Sequence, residues 1–356
     1  MKDPLTLINY KLITLILMNA KLAHIIAARP NFIKAAPLIK ELSSENYKNI
    51  IIHTNQHYDY KMSKIFFQEL NIPEPDYHLG IKSGTHAEQT GKGLISIEKV
   101  LLKEKPKALI VYGDVNSTLA GALAAVKLHI PVFHVESGCR SFDKTMPEEV
   151  NRIIIDNISD LLFCTEQSAC NNLISEGFNK NKIKLVGNTA IDTLSKITLS
   201  KIIKEDYYLC TLHRPFNVDD KNILHKILTK LNELDKKVII PSHPRLKNNL
   251  INTYNNIKFI EPLGYVDFIN YLKHSKGTIS DSGGVQCEAS FLNTPLITLR
   301  PTTEHLVTLE RGNTLTSIDE DLTFNKTKHT DIPFIWDGNA SVRIVNEIKK
   351  YDTHNS

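Results

Sequence analysis

The 356 residues contain no block of basic side chains dense enough to grip a nucleic acid. Lys and Arg number 43 against 39 Asp and Glu, a formal charge of +4, which suits an anionic small molecule better than a polymer. Cysteine is scarce: Cys139, Cys164, Cys170, Cys210 and Cys287 are scattered, with no CxxC pair and no metal-ligand spacing. A disulfide framework is excluded, no metal is expected, and the thiols read as reduced in a cytoplasmic protein. No GxGxxG marks a nicotinamide site, and no Walker lysine marks an ATP-hydrolysing loop. Long apolar runs are also missing. Leu12–Met18 is too short to span a bilayer and no small-residue cleavage site follows it, so no membrane partner is expected. Residues 1–21 read as an extra N-terminal segment: a weak signal-like stretch, a surface helix, or, the favoured reading, sequence upstream of a start at Met18. Neither internal repeats nor low-complexity tracts occur.

What is present is an alternation of apolar strand-like runs and helical patterns from residue 22 to about 300, the mark of parallel α/β units. The expected strands are Leu22–Ala27, Asn49–His53, Ala108–Tyr112, Val132–Val135, Leu161–Cys164, Tyr207–Leu212, Val238–Ile240, Ile257–Ile260, Gly277–Ile279 and Leu296–Leu299. Helices are expected over segments such as Phe32–Ser44, Ser117–Leu128, Val150–Ile158, Val285–Leu292 and Ala340–Tyr351. Length and composition, 42% hydrophobic and 23% charged, suit two doubly wound globular domains, with a hinge over Gly187–Glu205.

The sharpest local signal is Asp281-Ser282-Gly283-Gly284, which ends one strand and opens a helix. Paired glycines let a ligand approach the backbone, and the helix start offers free N–H groups to phosphate. Glu288, about a turn later, is placed to accept ribose hydroxyls. Phosphate with ribose means a nucleotide; an ordinary strand-to-helix turn is the competing reading. In doubly wound sheets ligands bind beyond the carboxyl ends of strands. Polar residues stand at many of these ends: Arg29 and Lys34, Gln56 and His57, Asp114, Glu136, His213 and Arg214, His243, and Asp281.

In order along the chain, Arg29-Pro30…Lys34…Pro37, Gln56-His57-Tyr58-Asp59, Gly113-Asp114, His134-Val135-Glu136-Ser137-Gly138-Cys139-Arg140, Pro147-Glu148-Glu149-Val150-Asn151-Arg152, Gly187-Asn188-Thr189, His213-Arg214, His243-Pro244-Arg245, Asp281-Ser282-Gly283-Gly284-Val285-Gln286 and Thr303-Glu304 resemble the non-hydrolysing UDP-N-acetylglucosamine 2-epimerase family. Bacterial members that make capsule or O-antigen sugars look nearest. The resemblance implies a glycosyltransferase-B-like pair of Rossmann-like domains with the active site in the interdomain cleft. The domains are expected at 22–190 and 191–339, with a C-terminal helix at 340–356 packing back on the first. Four departures stand out: Asn31 where the family usually has Glu, Ala27-Ala28 for Gly-Thr, Pro215-Phe216 after His-Arg, and His305 after Thr-Thr-Glu.

The family's chemistry expels UDP from the sugar, leaves a 2-acetamidoglucal, and adds UDP back with the proton on the other face of C2. By this resemblance Asp114, Glu136, Glu148 and His213 are the catalytic residues. Arg29, Lys34, Gln56, His57, Arg140, Arg152, Arg214, His243, Asp281, Ser282, Gly283, Gly284, Glu288 and Arg300 line the substrate and UDP. No cofactor is implied beyond the UDP held within substrate and intermediate, and a homodimer is expected. The alternatives are a C2 epimerase of a UDP-N-acetyl-6-deoxyhexose or diacetamido uronate, a hydrolysing epimerase, a glycosyltransferase, and a UDP-sugar-binding regulator. For individual residues, bland readings compete. Asp114 sits ahead of Asn116-Ser117 and could serve a helix cap, and Glu148 with Arg152 has the spacing of a surface ion pair.

Overall fold

The computed structural model describes residues 20–54, 67–199, 205–242, 246, 254–324 and 335–354. The chain divides into two compact units, residues 1–195 with 335–356 and residues 196–334.

Unit 1 is built on a seven-stranded parallel sheet: β1 (Lys21–Ile26), β2 (Lys48–His53), β3 (Tyr77–His78), β4 (Ala108–Tyr112), β5 (Val132–Ser137), β6 (Leu161–Cys164) and β7 (Ile183–Leu185), in the order β3-β2-β1-β4-β5-β6-β7. Such a sheet is covered on both faces, so its central strands are continuous apolar runs rather than alternating ones. Every residue of Ala-Leu-Ile-Val-Tyr in β4 is buried. The connecting helices are α1 (Arg29–Ser44), α2 (His86–Glu104), α3 (Asn116–Lys127), α4 (Pro147–Ile158), α5 (Gln167–Ser175) and α6 (Thr189–Leu194). Ile25, Ile52, Leu109 and Val111 of the sheet pack with Ile97, Leu101 and Ala120 from the helices.

Helix α1 carries Pro37 in its interior. Proline lacks the N–H that would bond the carbonyl four residues back. That carbonyl belongs to Ile33, and the Thr193 hydroxyl of α6 donates to it at 2.7 Å. The proline therefore helps dock α6 onto α1.

Unit 2 repeats the plan with β8 (Tyr207–Thr211), β9 (Lys237–Pro241), β10 (Ile257–Ile260), β11 (Gly277–Ser280), β12 (Leu296–Leu299) and β13 (Asn313–Thr316), all parallel in the order β10-β9-β8-β11-β12-β13. Its described helices are α7 (Pro215–Val218), α8 (Lys221–Asn232), α9 (Tyr265–His274) and α10 (Gly283–Leu292). The final helix, α11 (Ala340–His354), belongs to unit 1 and packs on α1 and α6. Strand order reverses between β1 and β4 in unit 1 and between β8 and β11 in unit 2. These switch points open a crevice at the carboxyl ends of the strands.

Candidate active site

At the switch point of unit 1 the loop after β1 meets the end of β4. Asn31 accepts from the N–H groups of Ala27 and Ala28 at 3.3 and 3.0 Å and donates to the carbonyl of Tyr112 at 2.8 Å. An amide can accept and donate at once, which an ionised carboxylate cannot. This is the physical content of the departure at residue 31. Arg29 opens α1.

Beyond β4 the chain turns at Gly113, with φ +62°. A side chain there would begin 3.2 Å from Lys34 Nζ and 3.6 Å from Glu136 Oε1. Those two groups form an ion pair at 2.6 Å, with side chains only 13% and 12% exposed. Burial opposes the charge on Lys34, but Glu136 and Asp114 outweigh it and hold the ammonium above its ordinary pKa. Glu136 itself sits at φ +73° where the β5–β6 register shifts between Val135 and Ser137. A non-glycine residue in the left-handed region within a bulge is costly, and such residues cluster at functional sites. Here the bulge re-aims the carboxylate from the sheet toward Lys34.

Asp114 is held by Arg152, whose Nε donates to its Oδ2 at 3.1 Å while Nη2 reaches the same oxygen. Arg152 Nη1 also pairs with Glu149 at 2.9 Å. Glu149 in turn accepts from the Ser141 and Phe142 N–H groups at 3.0 and 2.9 Å. Asn151 donates to the carbonyl of Asp114 at 2.8 Å. The cap of α3 falls to Val115, without a side-chain bond, so Asp114 is not that helix's cap. Glu148 lies half-buried in the first turn of α4.

Arg140, expected from the sequence to reach substrate, has a guanidinium only 1% exposed. It donates to Asp156 at 2.7 Å, to Glu176 at 2.8 and 2.7 Å, and to the carbonyl of Cys139 at 2.9 Å. Four acceptors inside unit 1 occupy it, so its role is internal. Glu149, Asn151 and Asp156 were missed as supporting groups. The second Glu and the Asn of Pro-Glu-Glu-x-Asn-Arg were the available signal; nothing local marked Asp156.

In unit 2, Asp281 follows β11 and is fully buried. It accepts from the N–H of His213 at 3.1 Å and of Arg214 at 3.0 Å, and from Asn217 Nδ2 at 3.1 Å. His213 Nδ1 completes the set at 2.9 Å. Burial pushes the Asp281 carboxyl up; His213, the Arg214 N–H and Asn217 outweigh it and hold the group below its ordinary range. One carboxylate thus fixes the loop after β8 across the switch point and orients a ring that is 45% exposed.

Ser282 caps α10, followed by Gly283 and Gly284. A Cβ on Gly283 would meet Glu304 Oε1 at 2.5 Å, whereas one on Gly284 would meet nothing within 4 Å. Glu304 is paired with Arg300, Nη2 to Oε2 at 2.7 Å and Nη1 to Oε1 at 3.3 Å. Arg300, like Arg140, is therefore buried and internally paired; it stands behind the glycine loop. Gln286 Oε1 accepts from Thr303 at 2.6 Å and Asn313 at 3.1 Å, tying the Thr303-Glu304 turn to α10. Glu288 is buried on the same helix. Gln56, His57 and His243 lie outside the described residues.

A family model described as UDP-N-acetylglucosamine 2-epimerase matches residues 40–349. The chain belongs to the UDP-N-acetylglucosamine 2-epimerase family. A UDP-N-acetylglucosamine 2-epimerase of Methanocaldococcus jannaschii is 45% identical over 358 residues, covering 91% of this chain and 98% of the relative. A UDP-2,3-diacetamido-2,3-dideoxy-D-glucuronate 2-epimerase of Pseudomonas aeruginosa is 41% identical over 352 residues, 93% of this chain and 99% of its own length. The crystal structure of the M. jannaschii UDP-GlcNAc 2-epimerase in complex with UDP-GlcNAc and UDP superposes with a TM-score of 0.83 at 43% identity, covering 93% of this chain and 99% of that one. This member of the UDP-N-acetylglucosamine 2-epimerase family is an isomerase with two Rossmann-like units. Among its described residues no helix is long and apolar enough to cross a membrane, and no group of His, Cys, Asp or Glu is arranged to hold a metal.

Proposed function

We propose that the chain interconverts UDP-N-acetylglucosamine and UDP-N-acetylmannosamine without hydrolysis, by eliminating UDP and adding it back to a 2-acetamidoglucal. The observation that carries this reading is the meeting of Asp114, Glu136 and Lys34 at the ends of adjacent parallel strands β4 and β5. C2 of a sugar is a weak acid, so its inversion calls for positioned carboxylates that remove and return a proton. Asp114 and Glu136 are assigned this proton traffic, together with Glu148. His213, oriented by Asp281, is assigned the departing diphosphate, and Arg29, Arg152 and Arg214 are assigned substrate charge. Ser282, Gly283 and Gly284 are assigned the phosphates and Glu288 the ribose, with UDP as the only nucleotide required, no separate cofactor, and a homodimer as the working assembly.

The test is epimerisation in deuterated water. The expected product carries deuterium at C2, and an unlabelled product would overturn elimination. The 41% identity to a diacetamido-uronate epimerase favours, as a second reading, the same C2 chemistry on a modified UDP-sugar. An NMR assay across UDP-N-acetylglucosamine, its 6-deoxy analogue and the diacetamido uronate separates the two by relative kcat/KM.

A further inference from the structure

The Asp114 turn and the Glu136 bulge are joined from behind by side chains that reach no surface. His134, two residues before Glu136 and fully buried, places Nε2 2.9 Å from the carbonyl of Gly113 and Nδ1 2.7 Å from Asp156 Oδ1. The other oxygen of Asp156, itself fully buried, accepts the N–H of Gly138 at 3.1 Å and Arg140 Nη1 at 2.7 Å. Gly113 precedes Asp114, and Gly138 closes the bulge two residues after Glu136. Both left-handed segments that carry the proposed carboxylates are thus bonded to one His–Asp pair.

A carbonyl oxygen only accepts, so Nε2 donates to Gly113. Nδ1 faces Asp156 Oδ1, while the other oxygen of Asp156 is taken up by Arg140 and the Gly138 N–H. His134, Asp156 and Arg140 therefore form one bonded row that ends on Glu176 at the partly exposed side. Buried charges of this kind are tolerated only when fully paired, and removing one member leaves another without compensation.

We infer that His134, Asp156 and Arg140 are positioning residues for the epimerisation: together they hold Asp114 and Glu136 at the separation that proton removal and return require. None of the three touches the reacting atoms. This rests on the proposed epimerase reading, and its test is built to fail separately from it.

Asp156→Asn, His134→Gln, Arg140→Lys and Arg140→Met are compared with the full-length chain for folding, kcat, KM and UDP affinity. Misplacement of a reacting group by about an ångström costs on the order of a hundredfold in rate. Asp156→Asn and His134→Gln are expected to lose kcat on that scale, with KM and the UDP Kd changed less than about threefold. Arg140→Lys, which keeps the charge, should retain most of the rate that Arg140→Met loses. A folded Asp156→Asn with the original kcat, or one whose KM rises alone, overturns the inference.

The independent measurement is ¹⁵N spectroscopy of the His134 ring in the unmodified protein. Nε2 should appear as an N–H that exchanges slowly with water, because it donates to the buried carbonyl of Gly113. A ring whose Nε2 carries no proton, or exchanges it as fast as a free imidazole, sinks the inference even if the variants do not fold. If the chain shows no epimerisation, the proposed function fails while the ring spectrum still decides whether the bonded row exists.

Discussion

His213 Nδ1 lies 2.9 Å from Asp281 Oδ1, and the same carboxylate accepts the backbone N–H of His213. Ring and backbone are therefore fixed by a single buried anion. Asp281→Asn keeps the shape but replaces charged acceptors by a neutral one, and its NH₂ then faces N–H donors. The expected cost is about 1.5–3 kcal/mol of stability, with a kcat loss of tenfold or more. Chemical denaturation and initial rates check both. A variant of normal stability and rate would remove Asp281 from this role.

Lys34 and Glu136 form a nearly enclosed pair, so neither tolerates the loss of the other. Lys34→Met and Glu136→Gln should each destabilise by about 3 kcal/mol. Combined, they should cost less than their sum, with a coupling of about 1 kcal/mol or more. Additive losses in a double-mutant cycle would mean the two charges do not depend on each other. Both single variants should lose most activity.

The two glycines opening α10 should behave differently. Gly283→Ala drives a methyl into the Glu304 carboxylate and should cost about 1–3 kcal/mol. Gly284→Ala meets open space and replaces a poor helix former, so its melting temperature should hold or rise. If UDP approaches the backbone there, Gly284→Ala should nevertheless weaken UDP by roughly tenfold, about 1.4 kcal/mol, in calorimetry. Unchanged UDP affinity would place the phosphates elsewhere.

His24, at the centre of β1, bonds Tyr112 OH and Asn49, and burial lowers its pKa from 6.5 to about 4 against the opposing effect of Asn49. The folded chain then binds fewer protons than the unfolded chain between those values. Stability is fully present above pH 6.5 and falls as the pH drops toward 4, by up to about 1.4 kcal/mol per pH unit from this residue. His53, lowered to about 4 by burial and by His78, adds in the same direction. Urea midpoints at pH 7, 6 and 5 should decline, and His24→Gln should flatten the slope. An unaltered slope would assign the acid sensitivity to other groups.

The parallel α/β plan was legible because buried central strands are continuous apolar runs. Ala108–Tyr112, Leu161–Cys164 and Leu296–Leu299 have the bounds read from the sequence, as does the partly buried edge strand Ile257–Ile260, marked by Ile-Lys-Phe-Ile. The strands that escaped notice are Tyr77–His78, Ile183–Leu185 and Asn313–Thr316. Each sits at a sheet edge, is two to four residues long and is only partly buried, so no apolar run marks it. Among the proposed site residues, strand-end position singled out Asp114, Glu136 and Asp281, since a charged group closing an apolar run is visible locally. Sequence could not tell a charge facing ligand from one facing another charge. Arg140 and Arg300 look like ligand groups in their motifs, yet Asp156, Glu176 and Glu304 take them up through contacts that no local pattern announces.

The start of α11 is bound to Asp192, whose carboxylate accepts the N–H groups of Ala340 and Ser341 at 3.0 and 2.7 Å and the Ser341 hydroxyl at 2.6 Å. Unit 1 thus draws on both ends of the chain, while unit 2 is one uninterrupted stretch between them. On a ribosome the second unit has its whole sequence available before the first, which waits for residues 335–356. Until they arrive, Asp192 lacks the bonds to Ala340 and Ser341, and the surfaces of α1 and α6 that α11 covers stay open to water. In a nascent chain unit 1 is therefore left incomplete until residues 335–356 follow unit 2.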